Sequence, residues 1–566
     1  MDASRNFFDD LDRSYQANLA RFTLGLSPAG LTEAYTSWLA HLAMSPGRLS
    51  ELALFPLSQW PDCWQSQSQE QPKASQDSRF ASERWQQWPW RFYAEGFRQS
   101  EQFWQKATTG INGLSDEYQR ILSFSARQLL DALSPSNFIA TNPDLIHTTL
   151  THLGTNLAAG AANALEDWRR DQTGEAPVGM EAFEVGRNIA CTPGKVVLKN
   201  QLIELIHYQP RCDKVKKEPV LFMPAWIMKY YILDLSPRNS LVRWLLEQGH
   251  DVYMISWKNP GGEDRELGME DYVRHGALAA IDAVRSISKD APIHLAGYCL
   301  GGTLALLTAA YLGARQDNPL KSLTLFAAQG DFTEAGELML FVTPSEVAFL
   351  KNMMWAQGVL DTTQMAGAFQ ILRSNDLIWS RLVHEYLQGQ RPGMNDLMAW
   401  NSDATRMPFK MHSEYLEKLF LKNQFAEGHY SLFGEPLAPG DIQLPIFAMG
   451  TEKDHVAPWV SVHKVHLIGG NDVTFVLASG GHNSGIVSEP GHPHRSYRQL
   501  FKGAKDPYLS PEHWLEKAEP HSGSWWPAWQ AWLAEHSSAE VAAPKNLGSR
   551  QYPAKGDAPG SFVLMK

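Results

Sequence analysis

The sequence predicts an α/β protein: a mostly parallel sheet carrying a helical insertion, preceded by a helical N-terminal domain. Two observations carry this reading. From about residue 196 onward, short apolar runs alternate with helical stretches, the pattern of right-handed βαβ units. One of those runs, Ile293 to Ala296, passes at once into Gly297-Tyr298-Cys299-Leu300-Gly301-Gly302 and then into the strong helix former Thr303 to Ala310.

In chain order, residues 1 to about 60 read as amphipathic helix, with Leu19, Phe22, Leu31, Tyr35, Trp38, Leu39 and Leu42 at helical spacings. The Gln/Ser-rich piece Gln65 to Ser78 reads as an exposed loop. Further helical segments run from Arg79 to about Trp168, among them Tyr118 to Leu133, followed by a turn at Ser134 to Asn137. The polar stretch Asp171 to Glu175 closes a helical domain over residues 1–175, which carries no catalytic constellation.

Residues 176–566 form the second expected domain. Val196 to Lys199 and Leu202 to His207 read as a hairpin around Asn200, followed by runs at Val220 to Met223, Val252 to Ile255, Ile293 to Ala296 and Leu323 to Phe326. Ser240 to Glu247 and Tyr272 to Ser288 are the helices between them. The alternation then stops over about 330–440, a helix-rich insertion, and resumes with Ile446 to Met449 and Val473 to Leu477. That makes about eight strands, with a cap inserted after the sixth.

Strand, Gly-flanked turn and buried helix around Cys299 make the nucleophile elbow of an α/β-hydrolase fold, with Cys where Ser usually stands. Such a turn holds its nucleophile in a strained backbone, and Cβ atoms at 297 and 301 would collide with strand and helix. A helix N-terminus also favours the thiolate. The plainer alternative is a small-residue junction around an inert buried cysteine.

In this fold the acid follows a late strand and the histidine follows the last. Asp454 lies in the loop after Phe447 to Gly450, and His482 in the loop after Val473 to Leu477. Three placements in the right order point to a Cys299–His482–Asp454 triad. Glu452 competes as the acid, and His455 reads as a neighbour of Asp454. His492 and His494 lack a carboxylate or cysteine partner at metal-ligand spacing, so no metal site and no cofactor are expected.

A free thiol with pKa about 8.5 is barely ionised at neutral pH, so His482 supplies the activation and Asp454 orients it. The oxyanion needs two N–H donors: the Leu300 amide, and a second from the loop after Met223, near Ala225 or Trp226. A thiol attacking a thioester exchanges like for like, so the acyl-enzyme keeps its activation. Cysteine therefore hints at acyl transfer, although hydrolases of this fold also use it.

Composition excludes other classes. The 566 residues carry a net charge of −11, which argues against a nucleic-acid partner. Four widely spaced cysteines and an N-terminus unlike a signal peptide point to a reducing cytoplasm, and no apolar run is long enough to span a membrane. The 20 tryptophans fit an apolar ligand, though packing in a large core is the plainer explanation.

Several stretches resemble the signatures of the polyhydroxyalkanoate synthases, which polymerise (R)-3-hydroxyacyl-CoA into storage polyester. They are Met223 to Leu235, Ile255 to Pro260, Gly297 to Thr303, Arg373 to Trp379, Trp400 to Thr405, Asp454 to Trp459, Gly481-His482 and Gly523 to Pro527. Ser134 to Phe138 and Thr141 to Pro143 extend the likeness into the N-terminal domain, so it covers roughly 75–566. The resemblance puts the nucleophile on Cys299, the acid on Asp454 and the base on His482. It is most similar to the single-subunit, hydroxybutyrate type. Met223-Pro224-Ala225-Trp226 departs from it with Ala where many members show a second Pro, and Ala327 to Asp331 departs from the commonest short-chain form.

The resemblance implies acyl-CoA as substrate, polyester as product, and a cytoplasmic place at the storage-granule surface among granule-associated proteins. A homodimer is also expected. Phe341 to Trp379 reads as a gate, a dimer contact or plain cap packing, and Trp525 to Trp532 as a Pro-started helix laying Trp on the sheet. Lys214, Lys216, Lys217 and Lys229 are candidate phosphate contacts, with solvated surface the plainer reading. The alternatives are a Cys-type hydrolase or thioesterase of the same fold, and a catalytically idle granule-coat protein.

Overall fold

The structure, a computed structural model, describes residues 2–23, 27–65, 77–315 and 317–566. Its centre is an 11-stranded sheet. In chain order the strands are β1 (Gly194–Lys199), β2 (Ile203–Tyr208), β3 (Val220–Met223), β4 (Val252–Trp257), β5 (Ile293–Tyr298) and β6 (Leu320–Phe326). After the insertion come β7 (Ile446–Thr451), β8 (Val473–Ala478), β9 (Ser496–Lys502), β10 (Glu519–Ser522) and β11 (Gly556–Asp557). The order across the sheet is β10-β9-β8-β7-β6-β5-β3-β4-β2-β1-β11.

From β4 across to β8 every neighbour is parallel, and the strands outside that run pair antiparallel. The parallel strands read as unbroken apolar runs because both faces are covered. One apolar cluster holds Leu295, Leu304 and Phe475, and the other holds Phe222, Phe326, Trp525 and Trp529. The chain steps from β3 out to β4 and then crosses back to β5, so the strand order reverses beside β3. In open α/β sheets that reversal opens a crevice at the carboxyl ends of the strands.

The sheet is larger than the eight strands expected. The additions are β9, β10 and β11, which are polar or very short, and β10 contains Pro520. Edge strands of this kind lack the apolar run that reveals a central one. The Gln/Ser-rich loop expected over 65–78 falls mostly outside the described residues.

Among the described residues, seven longer helices precede the sheet, from Asp2–Phe22 to Thr155–Thr173. They dock on the insertion between β6 and β7. Asn352, on the insertion helix Pro344–Gln357, donates to Gln16 at 2.6 Å, and the Arg13 guanidinium sits 5.3 Å from the Trp355 ring. Farther on, an added Cβ at Gly160 would lie 1.9 Å from the Tyr386 carbonyl oxygen, so the helix and the 382–387 turn meet backbone to backbone. Among the described residues no helix is long and apolar enough to cross a membrane.

Candidate active site

Cys299 follows the last residue of β5 and precedes the helix Leu300–Gly313. Its φ is +53°, a left-handed value that costs a non-glycine residue about 1–3 kcal/mol. The turn is held by the Cys299 amide, which donates to the Phe326 carbonyl at 2.9 Å, and by the Cys299 carbonyl, which accepts from Gly302 at 2.8 Å. The glycines around it are there for space. A Cβ at 297 would lie 2.4 Å from the Gly302 Cα, and one at 301 would lie 2.1 Å from the Met223 carbonyl oxygen.

Asp454 and His482 come from the loops after β7 and β8. The Asp454 Oδ2 lies 2.8 Å from the His482 Nδ1 and also accepts the Thr451 hydroxyl at 3.0 Å. Its Oδ1 accepts the amides of Val456 at 2.9 Å and Ala457 at 2.8 Å. Burial would raise the Asp454 carboxyl, but His482 and these amides hold it below the usual carboxylate range. Burial would likewise lower His482, yet the charges of Asp454 and of nearby Cys299, with the Asp454 hydrogen bond, outweigh that and hold it well above the usual imidazole range. The structure thus gathers all three residues, with His482 Nδ1 on the carboxylate and Cys299 close enough to act on the imidazole. That arrangement lets the ring carry a proton beside a thiolate, the condition for nucleophilic attack by sulfur.

Two rings missed by the sequence reading complete the setting. Tyr298 stacks on His482 with centroids 5.5 Å apart, and its hydroxyl donates to the Asn483 side-chain Oδ1 at 2.8 Å. Half-buried Tyr415 packs close to Cys299, whose charge adds to burial in raising its phenol. Tyr298 could have been noticed beside Cys299, whereas nothing local marks Tyr415.

Leu300 opens the helix after Cys299, so its amide is one of the first-turn donors that have no acceptor within a helix. The register of β3 on β5 sets Met223 opposite Gly297. The loop bearing Ala225 and Trp226 therefore starts beside the nucleophile turn, and both residues are buried. Glu452 and His455 are exposed, and the hydrogen bond to His482 Nδ1 comes from Asp454. His492 bonds the Pro493 carbonyl. Among the described residues no group of three or more His, Cys, Asp or Glu could hold a metal. Lys229 is corrected as a phosphate contact: it is buried, 3.0 Å from Asp403, and donates to the Met565 carbonyl at 2.9 Å.

Cys299 opens into a cavity of about 430 Å³. Its walls are mostly apolar and include Ile227, Leu338, Val342, Leu350, Met353 and Met365. Phe341 to Trp379 thus supplies much of the roof. Ala20 of the first helix also lines the cavity, a contact no local pattern announces. Such a chamber suits an acyl group attached at the sulfur.

Three family models match. Residues 6–48 match "Poly-beta-hydroxybutyrate polymerase N terminal", 76–245 match "Poly-beta-hydroxybutyrate polymerase (PhaC) N-terminus", and 218–487 match "alpha/beta hydrolase fold". The poly(3-hydroxyalkanoate) polymerase of Methylorubrum extorquens is 40% identical over 80% of this chain and 75% of its own. This chain belongs to the poly(3-hydroxyalkanoate) polymerase family. A further member, the polymerase subunit PhaC of Cupriavidus necator, is 35% identical over 93% of this chain and 90% of its own. Among solved structures, the monoacylglycerol lipase of Paleococcus ferrophilus aligns at 16% identity with a TM-score of 0.31, covering 57% of this chain and 98% of that one. So distant a likeness carries no argument, and the α/β-hydrolase fold of this polymerase-family enzyme rests on its sheet order and its family-model match.

Proposed function

We propose that this chain polymerises (R)-3-hydroxyacyl-CoA, with 3-hydroxybutyryl-CoA as its unit, through a covalent thioester on Cys299. The observation that carries the reading is the Cys299–His482–Asp454 line opening into an apolar chamber, in a chain of the polymerase family.

The Cys299 thiolate attacks the thioester carbonyl. The oxyanion is met by the Leu300 amide and by a second N–H from the Ala225–Trp226 stretch. The C–S bond to CoA breaks, and His482 gives its proton to the departing CoA thiolate. His482, now neutral, takes the proton of the 3-hydroxyl of the next unit. That oxygen attacks the acyl-enzyme carbonyl, forms an ester and restores the Cys299 thiolate. The product still ends in a CoA thioester, which reacylates Cys299, so one CoA leaves per unit added. Asp454 stabilises the imidazolium throughout. Apolar walls keep water from competing with the hydroxyl.

This reading puts the chain at the surface of its own polyester, as a homodimer. Exposed apolar side chains on the N-terminal helices and the turns between them, such as Trp88, Phe92, Leu153 and Trp168, suit an ester surface.

The test is purified protein with (R)-3-hydroxybutyryl-CoA, following CoA release and the acyl product. Polymer formed in step with CoA supports the proposal. Free 3-hydroxybutyrate in step with CoA would mean a hydrolase, and no CoA release from either short or longer acyl-CoA would mean an idle protein.

A further inference from the structure

The loop Pro224–Tyr231 leaves β3 beside Cys299, and the backbone carbonyls of Pro224, Trp226, Ile227 and Lys229 are all held. The Pro224 carbonyl accepts the Trp257 indole N–H at 2.8 Å. The Trp226 carbonyl accepts the Thr405 hydroxyl, and the Ile227 carbonyl accepts the Thr405 amide at 3.2 Å. Met228 and Ala404 form an antiparallel bridge. The Lys229 carbonyl accepts the Trp400 indole N–H at 2.7 Å. Asp403 takes the Lys229 ammonium at 3.0 Å and the Tyr231 hydroxyl at 2.9 Å. Trp400, Asp403 and Thr405 are all buried.

A trans peptide is planar, so fixing one carbonyl fixes the N–H that follows it. The Trp257 bond pins the 224–225 peptide and the Thr405 hydroxyl pins the 226–227 peptide. Between them lies the peptide that carries the Trp226 N–H. A donor for a developing oxyanion works only if it is already aimed when charge appears, and two pinned flanks supply that aim. We infer that Trp400–Thr405 is the positioning element of the oxyanion loop and that Thr405 is its key residue. The inference rests on the Ala225–Trp226 stretch supplying the second oxyanion donor. Because the segment begins in the last turn of the insertion helix Asp396–Asn401, it also wires the cap to the oxyanion loop.

Thr405→Val keeps the shape and removes the hydroxyl, whereas Thr405→Ser keeps the hydroxyl. Two reactions of Cys299 separate aim from folding. Acylation by p-nitrophenyl acetate passes through a tetrahedral oxyanion. Alkylation by iodoacetamide displaces iodide at saturated carbon and forms none. Thr405→Val is expected to slow the p-nitrophenolate burst about tenfold to a hundredfold, with alkylation within about twofold and KM for (R)-3-hydroxybutyryl-CoA within about threefold. Thr405→Ser should restore the burst. Equal losses in acylation and alkylation, or no loss in either, would overturn the inference. The burst reads the oxyanion loop for any acyl donor, whereas polymer formation by the unaltered enzyme reads the proposed function, so the two can fail separately.

Discussion

Gly301 lies against Met223 so closely that a Cβ there would sit 2.1 Å from the Met223 carbonyl oxygen and 2.5 Å from Pro224 backbone atoms. The helix after Cys299 and the loop after β3 are thus packed backbone to backbone, and only the absence of a side chain permits it. Gly301→Ala should force the two apart, lowering stability by about 3 kcal/mol or more and CoA release with it. Gly47→Ala, where nothing lies within 4 Å of the added atom, should change neither. Thermal melts and CoA release on both variants check this.

Asp454→Asn should lower kcat about ten-thousandfold, because the imidazolium loses its counter-charge and orientation. The stability effect has a sign. Asp454 is held below the usual carboxylate range, so its contribution is present above about pH 3.9 and lost as pH falls through the lower folded value. His482 is held above the usual imidazole range, so its contribution is full below about pH 6.5 and lost as pH rises through the raised folded value. The variant's deficit, about 3 kcal/mol for a buried pair stripped of one partner, should therefore be widest between those limits and narrow toward alkaline pH. Urea melts from acid to alkaline pH would show it, and a deficit independent of pH would contradict the pairing.

The Trp525 and Trp526 indoles donate to the Gly485 and Ile486 carbonyls at 2.9 and 3.0 Å, bracing the loop that carries His482. Trp525→Phe leaves a buried carbonyl unpaired, a loss of about 1–3 kcal/mol. It should also reduce kcat about tenfold with KM nearly unchanged. Stability lost without kcat would mean that the bond serves the core alone.

Ala20 makes the first helix part of the chamber wall. Ala20→Trp should crowd the growing chain, slowing elongation and shortening the polymer, while iodoacetamide labelling of Cys299 stays within about twofold of the unaltered rate. Polymer length and labelling rate measured side by side check it. An unchanged length would remove the helix from the wall.

The residues legible in the sequence were those whose chemistry is written locally. Gly297 to Gly302 announces a turn because strand, tight corner and buried helix follow within a few positions, and Asp454 and His482 each follow an unmistakable buried strand. What stayed hidden depends on contacts between distant parts of the chain. Thr451 looks like the end of a strand until its hydroxyl is seen on Asp454. Ala20 looks like any small residue on an amphipathic helix, and Thr405 marks itself only by where its hydroxyl ends up. The strands Ser496–Lys502 and Glu519–Ser522 escaped because antiparallel strands near an edge need no apolar run.

The proposed chemistry requires Cys299 to carry the acyl chain. The most direct measurement is rapid acid quench of the enzyme with (R)-3-hydroxybutyryl-CoA, followed by peptide mapping by mass spectrometry. Hydroxybutyryl mass is expected on the peptide containing Cys299, removed by neutral hydroxylamine and absent from Cys299→Ala. Acyl mass on another residue, or CoA release at full rate from Cys299→Ala, would contradict it.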